Sequence, residues 1–121
     1  MDQKDSVRIT QDGPVAVVAF GTVSVTDAQV IATASQMIRQ TIENGKPAKV
    51  VFDFETVKFF SSQVLGLLLE TRSRLQAIGG RVVICAVTPA LQRVFKTTNL
   101  DKIFEFFPNR QAAMEATGTT D

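Results

Sequence analysis

The stretch Val50–Leu69, VVFDFETVKFFSSQVLGLLL, confines the fold more than any other part of the chain. An apolar strand, Val50 to Phe54, runs into a short polar turn that reaches Ser61 and Ser62. An apolar run, Val64 to Leu69, then leads into an amphipathic helix. Hydroxyls are thus presented where a strand hands over to a helix. Unsatisfied backbone N–H groups and the positive end of the helix dipole meet at that point. A hydroxyl there can cap the helix, carry a phosphate or take part in chemistry.

The rest of the chain extends the strand–helix pattern. Val7 to Thr10 alternates apolar and polar residues, as an edge strand does, and Gln11-Asp12-Gly13-Pro14 signals a turn. Val15 to Phe20 is a near-continuous apolar strand, so the two should form a hairpin. Thr26, with Gln29 three residues later, makes a capping-box pattern for a helix whose apolar face is Val30, Ile31, Ala34, Met37, Ile38 and Ile42. Asn44-Gly45-Lys46-Pro47 stops that helix, glycine first and proline shortly after. The helix from Ser62 carries Leu65, Leu68, Leu69, Leu75 and Ile78 and ends at Gly79-Gly80. Inside it, Gly66 costs ~1 kcal/mol relative to alanine, and is therefore expected where the helix packs closely on another element. Arg81 to Val87 reads as a strand, and Thr88-Pro89 opens a helix with Leu91, Val94 and Phe95 as its stripe. Ile103 to Phe107 is a last short strand. Asn109 caps a C-terminal helix through about Ala116, and Gly118 to Asp121 are expected to fray.

The order β-β-α-β-α-β-α-β-α predicts a single α/β domain over residues 1–121, ordered from about 7 to 116. Its sheet is mixed: an N-terminal hairpin, then parallel strands from Val50 onward, with helices flanking. Binding in such sheets gathers at the carboxyl ends of the strands, and Ser61 and Ser62 lie just past one.

Composition narrows the chemistry. The chain's 121 residues suit one domain, and 45% hydrophobic with 21% charged residues are typical of a soluble globular protein. No run approaches the ~18 apolar residues of a membrane span. The polar MDQKDSVRIT lacks the apolar core of a signal peptide. The one cysteine, Cys85, allows no internal disulfide, which fits a reducing compartment; its neighbours Val83, Ile84 and Val87 mark a buried strand thiol. The absence of histidine removes the commonest general base and the commonest metal ligand, and no cofactor or metal is expected. A net charge of +1 makes no case for nucleic acid. Residues 1–57 carry −2 and residues 58–121 carry +3, enough for modest steering only.

The serines have two structural readings. Ser61 at the N-cap would bond the backbone N–H at the third helical position, stabilising by ~0.5–2 kcal/mol. Ser62 then becomes the first helical residue with a spare hydroxyl. A phosphate there would gain roughly 0.3–1 kcal/mol from the dipole and add about −1.5 to −2 charges, which suits a switch. Nucleophilic catalysis is disfavoured: there is no histidine, no Ser-x-x-Lys, no Gly-x-Ser-x-Gly and no Gly-rich phosphate loop. Asp53 stands where a receiver-domain phosphoacceptor would stand. That role needs an acidic pair after the first strand to hold magnesium, and Asp12 is alone there. Asp53 is expected instead to hydrogen-bond backbone in the Glu55–Ser61 turn. Phe59-Phe60 and Phe104-Glu105-Phe106-Phe107 are core by default, but alternation should turn some rings outward, and an exposed ring near the serines would anchor a partner.

The strand–turn–serine–helix segment resembles the STAS domain of anti-sigma factor antagonists, with similarity from about Val7 to Met114. Asp53 matches the family's strand aspartate and Phe59 its aromatic. Ser61-Ser62-Gln63-Val64-Leu65-Gly66 stands where the family has Asp-Ser-Ser-Gly-Leu-Gly. Ile78-Gly79-Gly80, Val83-Ile84-Cys85-Ala86, Thr88-Pro89 and Leu91 through Phe104 are also similar. The resemblance implies a bacterial cytoplasmic switch without catalytic residues. Ser62 falls on the phosphorylated serine, with Ser61 the alternative. Such a protein binds an anti-sigma factor that is also its serine kinase, and so frees a sigma factor and regulates transcription indirectly. Phosphorylation releases it and a phosphatase resets it. The implied partner surface holds Val23, Ser24, Thr26, Phe60, Ser61 and Gln63, supported by Asp53 and Gly66. Nucleic acid and membrane are not among the implied partners. Two family aspartates are serines here, Ser61 and Ser24, which removes negative charge that a kinase could read. The alternative implied by that change is a STAS module that is not phosphorylated and serves as a scaffold.

Overall fold

The structure, a computed structural model, describes residues 6–115. β1 (Val7–Asp12) and β2 (Val15–Phe20) form the expected hairpin, Val7 opposite Phe20 and Asp12 opposite Val15. β3 (Ser24–Val25) and α1 (Ala28–Gly45) follow, then β4 (Lys49–Asp53), β5 (Phe59–Phe60) and α2 (Ser62–Gln76). The chain continues through β6 (Arg81–Cys85), α3 (Pro89–Thr97), a 3-10 turn at Leu100–Lys102, β7 (Glu105–Phe107) and α4 (Arg110–Glu115). The main sheet has the order β1-β2-β4-β6-β7, antiparallel at the hairpin and parallel elsewhere. β3 and β5 make a second, two-stranded parallel sheet that the sequence pattern did not predict. Two-residue strands carry no periodicity to detect.

β4 lies at the centre and is buried along its whole length. Its side chains alternate between the two faces of the sheet. Val50 and Phe52 join Ala16, Val18, Phe20 and Ile84 in the larger core, together with the buried faces of α1 and α2. Val51 joins Val17, Val83 and Cys85 on the other face, against Ala113 of α4. Two charged residues of the same strand hold α4 in place. Arg110 Nε at its start donates to Asp53 Oδ2 at 2.7 Å, and Lys49 Nζ donates to the Ala113 carbonyl at its end at 2.8 Å. A cation suits the carboxyl end of a helix because its last carbonyls are unpaired.

α1 buries Val30, Ile31, Ala34, Ile38 and Ile42, as the spacing predicts. Its ends differ from expectation. Asp27, not Thr26, is the N-cap: Asp27 Oδ1 accepts from Gln29 N–H at 2.8 Å, and Ile31 N–H bonds the Asp27 carbonyl at 3.1 Å. The Thr26 hydroxyl instead lies 3.4 Å from that of Ser24. At the other end Lys46, not Gly45, takes the left-handed conformation, with φ 41°. The Gln11 amide closes over Gly45 and donates to its carbonyl, so a Cβ there would displace this exposed side chain. Thr88 caps α3 through Leu91 N–H, and Asn109 caps α4 through Ala112 N–H, both as expected. The last strand is shorter than Ile103–Phe107, because the 3-10 turn takes the N–H groups of Ile103 and Phe104. The expected helix end at Ala116 and the fraying of Gly118–Asp121 lie outside the described residues.

α2 is rotated relative to expectation. Its buried stripe is Val64, Leu67, Leu68, Thr71 and Leu75, while Leu69 and Ile78 are 39% and 46% exposed. Thr71 fits that stripe because its hydroxyl donates to the Leu67 carbonyl at 2.8 Å. Gly66 therefore falls on the outer side. It is exposed, and an added Cβ would meet no atom within 4 Å. The close approach expected of Gly66 is not made. Among the described residues no helix is long and apolar enough to cross a membrane.

An exposed glycine in open space within a helix weakens that helix without packing to compensate. Gly66→Ala should raise unfolding stability by about 1 kcal/mol. Denaturant titration checks this, and a loss of stability would reveal a contact at this position.

Candidate functional site

The two segments implied as a partner surface, 34 positions apart at Ser24 and Lys58, are joined by backbone hydrogen bonds. Lys58 N–H and Phe59 N–H both reach the Val23 carbonyl, at 2.8 and 3.2 Å, and Ser61 N–H reaches the Val25 carbonyl at 3.1 Å. The small sheet pairs Ser24 with Phe59 and Val25 with Phe60. Alternation then sorts the side chains. Val25 is fully buried, and Phe60 packs edge-on against Phe54 and Phe95 with ring centroids 5.7 and 5.8 Å away. Ser24 and Phe59 face outward, Phe59 with 63% exposure and Val23 beside it with 47%. Phe60 is half-buried and packs its ring against the core, and the more exposed ring at this surface is Phe59.

α2 begins at the edge of this sheet. Ser61 has the extended N-cap backbone, but its hydroxyl makes no capping bond. The Ser61 carbonyl takes Val64 N–H at 3.0 Å, and the buried Ser61 Oγ has no hydrogen-bond partner among the described residues. Ser61 thus holds the cap position without the cap bond that the sequence suggests. Ser62 is the first helical residue, is exposed, and its hydroxyl is engaged by no hydrogen bond among the described residues. The first turn of α2 has no acidic residue, so no side chain of that turn answers the positive end of the dipole. Gln63 is exposed next to it, and Thr26 and Ser24 are exposed across the small sheet.

Asp53 supports this end from beneath. Its Oδ1 accepts from Glu55 N–H at 2.9 Å, which starts the turn, and its Oδ2 holds Arg110. Both oxygens are therefore engaged in structure. Asp12 cannot join Asp53 around a metal: it lies at the amino end of the sheet, beside Val15 and one strand from Lys49. Four residues of strand separate these rows, or ~13 Å. Cys85 lies directly across from Asp53. Burial, and then the charge of Asp53, push its thiol up to about 12, so it stays protonated at neutral pH. Sequence reasoning missed Arg110, because nothing local marks a partner 57 residues away.

Two substitutions separate these roles. Asp53→Ala should cost about 2–3 kcal/mol in denaturant unfolding, through loss of charged hydrogen bonds to the turn and to α4. Ser61→Ala should leave stability unchanged or raise it, since no bond is lost; a loss of ~0.5–2 kcal/mol would instead mark a working cap.

The fold is shared with known proteins. The STAS domain family model matches residues 9–113. The anti-sigma factor antagonist SpoIIAA in its unphosphorylated form superposes with a TM-score of 0.80 at 19% identity, covering 95% of this chain and 99% of that one. The phosphorylated form of the Bacillus cell fate determinant SpoIIAA gives 0.71 at 20% identity, covering 90% and 96%. An anti-sigma factor antagonist from Mycobacterium paratuberculosis gives 0.77 at 26% identity and covers 91% of each chain. Because the family match runs from β1 into α4 and spans both sheets and the serine turn, this chain belongs to the STAS domain family.

Proposed function

We propose that this protein is an anti-sigma factor antagonist: a protein-binding regulator, not an enzyme, that acts on transcription indirectly in a bacterial cytoplasm. Its partner is an anti-sigma factor with serine kinase activity, docked on β3, the β5 turn and the start of α2. Phosphorylation of Ser62 by that partner releases the antagonist, and a phosphatase restores it. The observation that carries this reading is the exposed, unengaged Ser62 hydroxyl at the start of a 15-residue helix, beside the exposed Phe59 and Val23. An exposed aromatic ring flanked by small polar groups is a common anchor in protein interfaces. SpoIIAA, whose fold this chain shares, occurs in unphosphorylated and phosphorylated forms.

Ser24 and Ser61 support a second reading. Ser24 pairs with the Thr26 hydroxyl and Ser61 Oγ is buried, so neither offers the negative charge of the family's aspartates. A kinase that reads those charges would pass this surface by, and the protein would act as a scaffold without phosphorylation.

Charge at Ser62 distinguishes the two. A dianion there barely disturbs the fold, because a helix N-terminus favours negative charge. It disturbs docking, because an unpaired charge in a desolvated interface is costly. Ser62→Asp should weaken anti-sigma factor binding about a hundredfold, or ~2.8 kcal/mol. Ser62→Ala and Ser61→Asp are the controls, and calorimetry is paired with melting temperatures. Equal binding by folded Ser62→Asp and Ser62→Ala would leave the scaffold reading in its place.

A further inference from the structure

The two edges of the main sheet are finished differently. β7 is three residues long and runs directly into Pro108, so it offers little to pair with. β1 is six residues long, and its register with β2 is unbroken from Val7 to Asp12. It contains no proline, no lysine and no bulge, the usual devices that keep an edge strand from pairing.

The hairpin decides which backbone groups of β1 are open. Gly21 N–H bonds the Ser6 carbonyl at 2.9 Å. Hydrogen-bonded pairs alternate along an antiparallel ladder. Arg8, Thr10 and Asp12 therefore turn their N–H and carbonyl groups toward β2, opposite Ala19, Val17 and Val15. Those of Val7, Ile9 and Gln11 point away from the sheet, and no bond among the described residues engages them.

The side chains add a second pattern. Arg8, Thr10 and Asp12 are all exposed and share one face of the strand. Two copies of β1 can pair antiparallel about a twofold axis through Thr10. That register sets Arg8 of each copy opposite Asp12 of the other. It also joins the open groups of Ile9 to those of Gln11, so the hydrogen bonds and the charges are satisfied together. Arg8 and Asp12 then meet at a non-hydrogen-bonded pair, where Cα atoms lie ~4.5 Å apart and side chains are closest. An axis through Arg8 or Asp12 would set like charges together, and an axis through Ile9 or Gln11 would leave both charges unpaired. The flank suits a copy of itself as well. The groove between β1 and α1, which Ile9, Met37, Gln40, Thr41 and Asn44 help to line, holds no charged residue. With the axis perpendicular to the sheet, both α1 helices come to one face and approach without repulsion.

We propose that β1 is a self-association edge: two copies of this protein pair β1 to β1, antiparallel about Thr10, and join their main sheets into one. An edge contact with one flanking groove is small. The dimer therefore belongs at the weak end of specific interfaces, with Kd on the order of 10–100 μM. None of these residues belongs to the serine surface, so the proposal stands apart from the regulatory reading.

The test is sedimentation velocity of the 121-residue protein over a concentration series, with amide hydrogen exchange at its two ends. The protein should pass from monomer to dimer. Exchange at Ile9 and Gln11 should slow severalfold on association, while Arg8 and Thr10 are protected already in the monomer by the hairpin bonds. Arg8→Glu and Asp12→Lys should each weaken association at least about tenfold, because each sets like charges opposite each other. An equimolar mixture of the two variants should associate as the unchanged protein does, since one chain is then acidic at both positions and the other basic at both. Exchange in the unchanged protein decides the matter if either variant fails to fold. Three results overturn the proposal. The protein stays monomeric at about 1 mM; it associates without slowed exchange at Ile9 and Gln11; or the mixture of folded single variants associates no better than either alone.

Discussion

Asp53 sits at the carboxyl end of the central strand with only 4% exposure, and a carboxyl group so buried needs hydrogen-bond partners. Its two oxygens meet that demand in two directions. One fixes the Glu55 N–H and so sets the exit angle of the turn; the other fixes Arg110 and so seats α4 on the back of the sheet. Phe54, the next residue, bonds the Cys85 carbonyl and turns its ring into the front core. The path from β4 to the serines thus starts from a position determined on both faces of the sheet.

The serine surface inherits that order through a chain of rings. Phe20, Phe54, Phe60, Phe95 and Phe106 follow one another with centroids 5.0–5.8 Å apart, running from β2 to β7. Each such pair contributes about 0.5–1.5 kcal/mol beyond area burial. Because Phe60 is one link, the small sheet it belongs to cannot move freely over the core. Pairing with β3 then leaves Phe59 no inward side to take. An exposed ring on a backbone held this firmly is pre-organised, which lowers the entropy lost on docking a partner.

The two ends of the sheet are electrically different. At the carboxyl ends of the strands, hydroxyls, an exposed ring and an uncapped helix start present no fixed charge in the first turn of α2. At the amino ends, the cross-strand neighbours Lys49 and Arg81 are both engaged, Lys49 by the Ala113 carbonyl of α4 and Arg81 by Glu105.

The amino-acid sequence alone determined the α/β class, the hairpin, the order and approximate bounds of the five long strands and four helices, the caps at Thr88 and Asn109, and the position of Ser62 at a helix start. These are local matters: periodicity, turn chemistry and cap residues act over a few neighbours. Tertiary structure decided the rest. The second sheet exists because two dipeptides with no strand signal meet across 35 positions. The choice of Phe59 over Phe60 as the outward ring depends on which side of that pair faces the core. Gly66 lies in the open because α2 is rotated toward Thr71, whose polarity hides it from a hydrophobic count while its hydroxyl bonds the Leu67 carbonyl. Asp53 with Arg110, and Lys49 with the end of α4, are pairings at separations of 57 and 64 residues. No local propensity encodes them; they form because a buried charge must find its partner wherever the packed chain has brought one.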